Sequence, residues 1–217
     1  MTERNDKTSL ASLLSAGRIV LMQDEATALW HQETVENPVE AQPATCPAED
    51  FLALVRRQHA SNFLLWHTED EARRPGATNA DLARVKRTID STNQLRNDLA
   101  EQCDQFLLDQ LGEQLREAAE LHSETPGMMM DRLSILALRI FHTKEEIKRT
   151  DAPPGHWERN QQRLEILRIQ RTDLSHCLDR LWQQILAGER RFKLYRQLKM
   201  YNDPTLNPSV YGAKKQG

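Results

Sequence analysis

The chain carries none of the short motifs that announce a common chemistry. It has no P-loop, no G-x-G-x-x-G, no H-E-x-x-H, no G-x-S-x-G and no zinc-type cysteine pattern. Enzyme classes that depend on those loops therefore receive no support. Cysteine is scarce: Cys46, Cys103 and Cys177 make an odd count without a C-x-x-C pair. This argues against a disulfide framework and for a reducing, cytoplasmic setting in which the thiols serve as small apolar side chains. No apolar run approaches the roughly 20 residues that span a membrane. The opening segment MTERNDKTS has no signal-peptide pattern. No stretch alternates convincingly as a strand.

What is present is charge, and leucine at helical spacing. Of 217 residues, 39% are apolar and 28% charged, which suits amphipathic helices with solvated outer faces. The length suits one domain with a real core. The net charge of −3 gives no electrostatic footprint for nucleic acid. Charge is uneven, however. Residues 189 to 217 hold seven Lys or Arg against Glu189 and Asp203, an excess that fits a solvated helix end.

Proline and glycine cut the chain into five predicted helices. The first runs from about Ser9 to Glu33, with Leu10, Leu13, Leu14, Val20 and Leu21 as its stripe. Residues 37 to 47 hold three prolines and read as a linker. The second helix starts near Ala48 and stops before Pro75-Gly76. The third opens near Asn79 and is expected to reach about His122, with Gly112 as a break or bend. The fourth covers about Met128 to Thr150. The fifth runs from His156 toward Met200, with Gly188 as a bend. Residues 1 to 201 are expected to form one bundle domain, and residues 202 to 217 an irregular tail.

Shifted by 75 residues, the middle of the chain aligns with itself without gaps. His67-Thr68 falls on His142-Thr143, Asp70 on Glu145, Arg96 on Arg171, Asp98-Leu99 on Asp173-Leu174, and Trp66 on Phe141. Two copies of one helix hairpin, about 48 to 122 and 127 to 200, explain this most simply. Each exposes an apolar stripe that it cannot bury alone. Together they form a four-helix core flanked by the first helix. The expected fold is therefore an all-α antiparallel bundle of two duplicated hairpins plus an N-terminal helix.

Polar groups interrupt the stripes at matching places. Leu164, Leu167, Arg171, Leu174, Leu178, Leu181 and Ile185 share one face, with Arg171 in its middle; Arg96 holds the same place in the first copy. On the partner helices, Asp70 and Glu145 fall within the stripes, and His67 and His142 sit beside them. A buried arginine needs a partner, so Asp70 with Arg96 and Glu145 with Arg171 are the natural pairs.

Three readings of His67, Asp70, Arg96, His142, Glu145 and Arg171 compete. The leading one is structural: two ion pairs that fix how the hairpins align. The second is a site for a small anion, held by arginine and served by a histidine proton shuttle. The third, a metal site from His67, Asp70, His142 and Glu145, is set aside. Its order reverses the Glu-x-x-His of di-metal bundles, and Arg96 and Arg171 on the same face repel a cation. No metal is thus expected, no cofactor can be named, and no catalytic residue is assigned. His31, His59, His122, His156 and His176 stand singly and read as filler. Met128-Met129-Met130 reads as core packing. The two functional readings are separable. An interaction protein should bury its ion pairs in a dry core and show an apolar patch elsewhere. A ligand-binding protein should open a concavity onto them.

The chain resembles the bacterial domain-of-unknown-function family 4254. Trp66-His67-x-Glu69-Asp70 carries the likeness, with Lys86-Arg87-x-Ile89-Asp90-x-x-Asn93-Gln94-x-Arg96-x-Asp98, Asp131-Arg132-Leu133-Ser134-Ile135-Leu136-Ala137-Leu138 and Gln170-Arg171-x-Asp173-Leu174. The closing stretch from Tyr195-Arg196-Gln197 through Tyr201-Asn202-Asp203-Pro204 to Asn207-Pro208 is the most specific piece. The resemblance covers about residues 50 to 211. It implies a bacterial source, a standalone helical domain and a loose association with polysaccharide or glycosyltransferase genes, but no activity. It also marks Tyr195, Lys199, Tyr201, Asn202 and Asp203 as a tail element, expected to strap the bundle, the alternative being a lid or docking element. The leading expectation is a non-catalytic protein whose partner is another protein or a second copy of itself. The alternative is an enzyme or anion-binding protein.

Overall fold

The computed structural model describes residues 10–32, 47–198 and 205–208. Five long helices carry the described residues: α1 (Ala16–Gln32), α2 (Pro47–Ala72), α3 (Asn79–Leu111), α4 (Pro126–Lys148) and α5 (His156–Leu186). Helices α2 and α3 form one hairpin, and α4 and α5 the other. Helix α4 packs against all four other helices and is the axis of the bundle. The fold is all-α, as the helical periodicity predicts. None of the helices is long and apolar enough to cross a membrane.

Local chemistry sets the boundaries. Thr78 caps α3 in a reciprocal box with Asp81, each bonding the other's backbone N–H. The cap is thus one residue before the expected Asn79. The Thr78 hydroxyl, which donates to the Asp81 carboxylate at 2.7 Å, and then the Thr78 N–H hold that carboxyl below its usual range. Thr125 caps α4, with Pro126 in the first turn. Behind it, buried Asp104 of α3 accepts from the Thr125 hydroxyl at 2.5 Å and the Gly127 N–H at 2.6 Å. Gly127 allows this approach. A Cβ there would stand 2.4 Å from the Ala100 carbonyl oxygen and 2.8 Å from the Asp104 side chain.

Three expectations about the elements are corrected. The first helix is not continuous: a helical turn at residues 10–13 breaks at Leu14 and Ser15 before α1 begins. Asp179 of α5 accepts the Ala16 N–H at 2.8 Å, and Trp182 donates to the Leu10 carbonyl at 3.1 Å. The break resets the helical phase. Leu21, expected inside, is 58% exposed, while Ile19, Gln23, Ala26, Thr27 and Trp30 are buried. The third helix stops at Leu111, because Gly112 takes a positive φ of 47° and a 3-10 turn follows. The fifth stops at Leu186, and Gly188, at φ 72°, reverses the chain.

These early stops make room for a short parallel ladder that alternation did not reveal. Strand β1 (Glu120–Leu121) pairs with β2 (Arg190–Arg191), tying the connection between hairpins to the end of α5. Buried Phe192 follows, and the Gln197 N–H donates to Glu101 of α3 at 3.0 Å.

The core is one large apolar cluster along α2 to α5. It includes Phe51, Val55, Cys103, Leu107, Leu133, Ile140, Leu178 and Ile185. A smaller cluster of Ala26, Trp30, Ala60, Phe63 and Leu138 lies where α1, α2 and α4 meet. Met129 and Met130 enter the core, while Met128 is exposed.

Candidate functional site

A polar seam crosses the bundle between α1, α2 and α4. Asp131 of α4 accepts from Gln58 at 2.5 Å and Asn62 at 2.9 Å, and lies 3.8 Å from the Arg96 Nε. Asn62 also donates to Ser134 at 2.9 Å. Wholly buried His59 bridges Ser134, 2.7 Å from its Nδ1, and Thr27, 2.9 Å from its Nε2. The Thr27 hydroxyl spends its one proton on the Gln23 carbonyl. The proton between His59 and Thr27 therefore sits on Nε2, and Nδ1 accepts from Ser134. Burial pushes His59 down to about 3, so the ring is neutral and structural.

Two turns along the same helices, the seam ends in three histidines. His31 comes from α1, His67 from α2 and His142 from α4, and one ring nitrogen of each lies within 4.8 Å of the other two. His31 Nδ1 donates to the Thr27 carbonyl at 2.7 Å. His142 Nδ1 donates to the Glu145 carboxylate at 2.9 Å. The Nε2 atoms of all three rings are buried, with no hydrogen-bond partner among the described residues. Aromatic rings wall the cluster. Phe141 stacks on His31 at 4.1 Å and Trp66 on His142 at 4.6 Å, while Phe63 meets His67 edge-on at 4.5 Å. Burial, and then neighbouring imidazoles, lower the affinity of His67 for protons. Burial is also the largest cause of the lowering at His142, opposed by its bond to Glu145.

The six predicted residues do not form one constellation. His67, His142 and Glu145 meet. Asp70 is exposed at the mouth of the adjoining cleft. The expected pairs Asp70–Arg96 and Glu145–Arg171 do not form. Arg96 turns to Asp131, and Arg171 pairs with Asp24 of α1 at 2.7 Å. The reason is that α1 and α4 present carboxylates to the two arginines, while Glu145 is taken by His142. Arg171 thus belongs to the packing of α5 on α1.

A cleft opens beside the cluster, between the hairpins. A cavity of about 910 Å³ is lined by Trp66, Asp70, Arg139, His142, Arg159 and Arg163 among others. A second, of about 440 Å³, shares Trp66, Asp70 and Arg139 and adds Arg96. Among the described residues, Arg139, Arg159 and Arg163 form no ion pair with a carboxylate.

Tyr195 is half-exposed and lines a further cavity with Arg96, Asp104 and Asp131. Residues 192 to 198 thus strap α3. Lys199, Tyr201, Asn202 and Asp203 lie outside the described residues, as do Cys46 and all of the expected linker at residues 37 to 47 except Pro47.

Sequence reasoning missed His31, Asp24, Asp131, Arg139, Arg159 and Arg163. The signal for His31 was its place one residue after Trp30 and four after Thr27, on the face that α1 buries once its phase restarts at Ala16.

These features define a class: an all-α bundle of two packed hairpins and a covering helix, with a half-buried histidine cluster where three helices meet. The chain belongs to the family of proteins of unknown function DUF4254, whose model matches residues 52–194. The matched span contains His67, His142 and the cleft arginines; His31 precedes it, and the closing tail motif follows it. No curated protein and no solved structure matches the chain.

Proposed function

We propose that the chain binds a small anionic molecule with an apolar or ring-shaped part in the cleft between its two hairpins. The observation that carries this reading is the set of guanidiniums of Arg139, Arg159 and Arg163. They line a cleft of about 910 Å³ beside Trp66 and form no ion pair with a carboxylate among the described residues. Arginine forks suit phosphate and carboxylate groups, and Trp66 offers an apolar face for a ring. His142 at the cleft wall is a group able to move a proton.

The competing expectation was an interaction or structural protein in cell-envelope polysaccharide assembly, acting through another protein or a second copy. That reading calls for buried, dry ion pairs. Arg96 and Asp70 instead open onto clefts, which favours ligand binding. Docking through exposed Ile166 and Ile169, one turn apart on α5, is compatible with it. Cys103 and Cys177 are free thiols, which fits the cytoplasm as the compartment. The 75-residue offset, which pairs His59 with Ser134 and His67 with His142 in space, supports duplication of one hairpin.

The test is a calorimetric titration of the protein with nucleotides, sugar phosphates and dicarboxylates. Binding of one class should be saturable and weaken at least tenfold in Arg139→Glu and Arg163→Glu. Absence of saturable binding across the panel, or variants that bind as the wild type does, would remove the proposal.

A further inference from the structure

We propose that His31, His67 and His142 bind a divalent first-row transition-metal ion of the zinc type through their Nε2 atoms. The site shares His142 with the wall of the arginine cleft, but it does not depend on an anion being bound there.

Hydrogen bonding orients the donors. A carbonyl and a carboxylate can only accept, so the Nδ1 atoms of His31 and His142 carry the protons. In the neutral rings the Nε2 lone pairs are then bare. The outward N–H to a carbonyl or carboxylate, with the inward nitrogen free, is the arrangement of metal-ligating histidine. His67 offers a third buried Nε2 without a partner. An orphaned buried acceptor costs about 1–3 kcal/mol, and this cluster holds three. A single water has two protons to share among three nitrogens. A cation satisfies all three at once.

The surroundings suit an ion of this class. Imidazole nitrogens are good ligands for zinc, copper, nickel and iron, and poor ones for magnesium or calcium. Low proton affinity at His67 and His142 leaves little competition from protons near neutral pH. Glu145, bonded to His142, and Asp70, which acts electrostatically on both rings, supply negative charge. Arg96 and Arg171, which on sequence grounds would repel a cation, are neutralised by Asp131 and Asp24. Bond lengths of about 2.0–2.1 Å place tetrahedral nitrogens about 3.3 Å apart. Nitrogens within 4.8 Å of one another reach that spacing when each moves inward by less than about 1 Å. Three protein ligands leave a fourth position for water or substrate. A further cavity, lined by His31, Asp24 and Glu145 alongside Lys144 and Lys148, adjoins the cluster on its α1 side.

The experiment uses the untagged full-length chain, stripped with chelator and titrated with zinc chloride and with cobalt(II) chloride. Histidine ring nitrogens are followed by NMR. We expect one equivalent to bind, with the Nε2 resonances of three histidines shifting together while their Nδ1 protons persist. A visible cobalt band should report four- or five-fold coordination. His31→Gln, His67→Gln and His142→Gln should each weaken binding by about a hundredfold or more, and Glu145→Gln, which removes only an outer-shell partner, by about tenfold. His176→Gln combined with Cys177→Ser, which removes the exposed neighbouring pair, should change nothing; nor should Arg139→Glu. Lack of stoichiometric binding by the wild type would overturn the proposal. So would shifts confined to other histidines, or equal binding by the variants. If a variant loses helicity, the wild-type spectrum alone decides.

Discussion

His67 and His142 are 75 residues apart in the chain, and their rings meet at 5.7 Å with planes 75° apart. Each stands one residue after an aromatic, Trp66 and Phe141, and both Nε2 atoms are buried without a partner. Two helices that bring such groups together accept a cost in stability, and the first prediction follows. In chelator, His67→Phe should leave stability unchanged or raise it by up to about 1 kcal/mol, because it removes an orphaned acceptor. With excess zinc the order should reverse, since an ion that binds only the folded state stabilises it by mass action. Urea denaturation with and without zinc reads both arms.

His59 makes the fold acid-sensitive. Its folded value of about 3 lies below the ordinary 6.5, so the unfolded chain binds more protons between those limits. Its contribution is fully present above about pH 6.5 and falls by about 1.4 kcal/mol per pH unit toward pH 3. His67 and His142, also lowered, act in the same direction. Melting temperature measured from pH 7 to 4 should drop steeply, and His59→Gln should flatten the slope.

Gly127 holds α4 against α3. Gly127→Ala should destabilise by about 2–3 kcal/mol, because its Cβ meets the Ala100 carbonyl, a backbone atom unable to rotate away. Chemical denaturation checks this.

Asp131, rather than Arg96, is the hub of the polar seam. Asp131→Ala removes the acceptor for Gln58 and Asn62 and should cost about 2–3 kcal/mol. Arg96→Leu leaves both of those bonds and should cost about 1 kcal/mol. Equal losses in the two variants would count against this ordering.

The helical architecture was legible because leucine spacing reports burial directly. Leu164, Leu167, Leu174, Leu178, Leu181 and Ile185 are all buried, as the spacing predicts. The 75-residue offset likewise pointed to His67 and His142 as a pair. Legibility failed where geometry crosses between segments. Nothing local says that Arg171 meets Asp24, 147 positions away. The two-residue strands are too short to alternate. His31 was hidden because a break at Leu14 and Ser15 shifts the phase of the helix that carries it, so the apolar stripe read across the break pointed to the wrong side.

The three histidines are shared between two stretches of chain that residues 33 to 46 separate in sequence. Two come from the hairpins and one from α1. Whatever occupies the cluster therefore reads whether α1 is docked. By thermodynamic linkage, an ion that requires His31 must tighten the grip of the hairpins on α1 by the factor by which docked α1 tightens the grip on the ion. A peptide of residues 1 to 36 added to a chain beginning at residue 37 would then act as a reporter. Its affinity should rise with zinc, which would make the covering helix one half of a reciprocal switch.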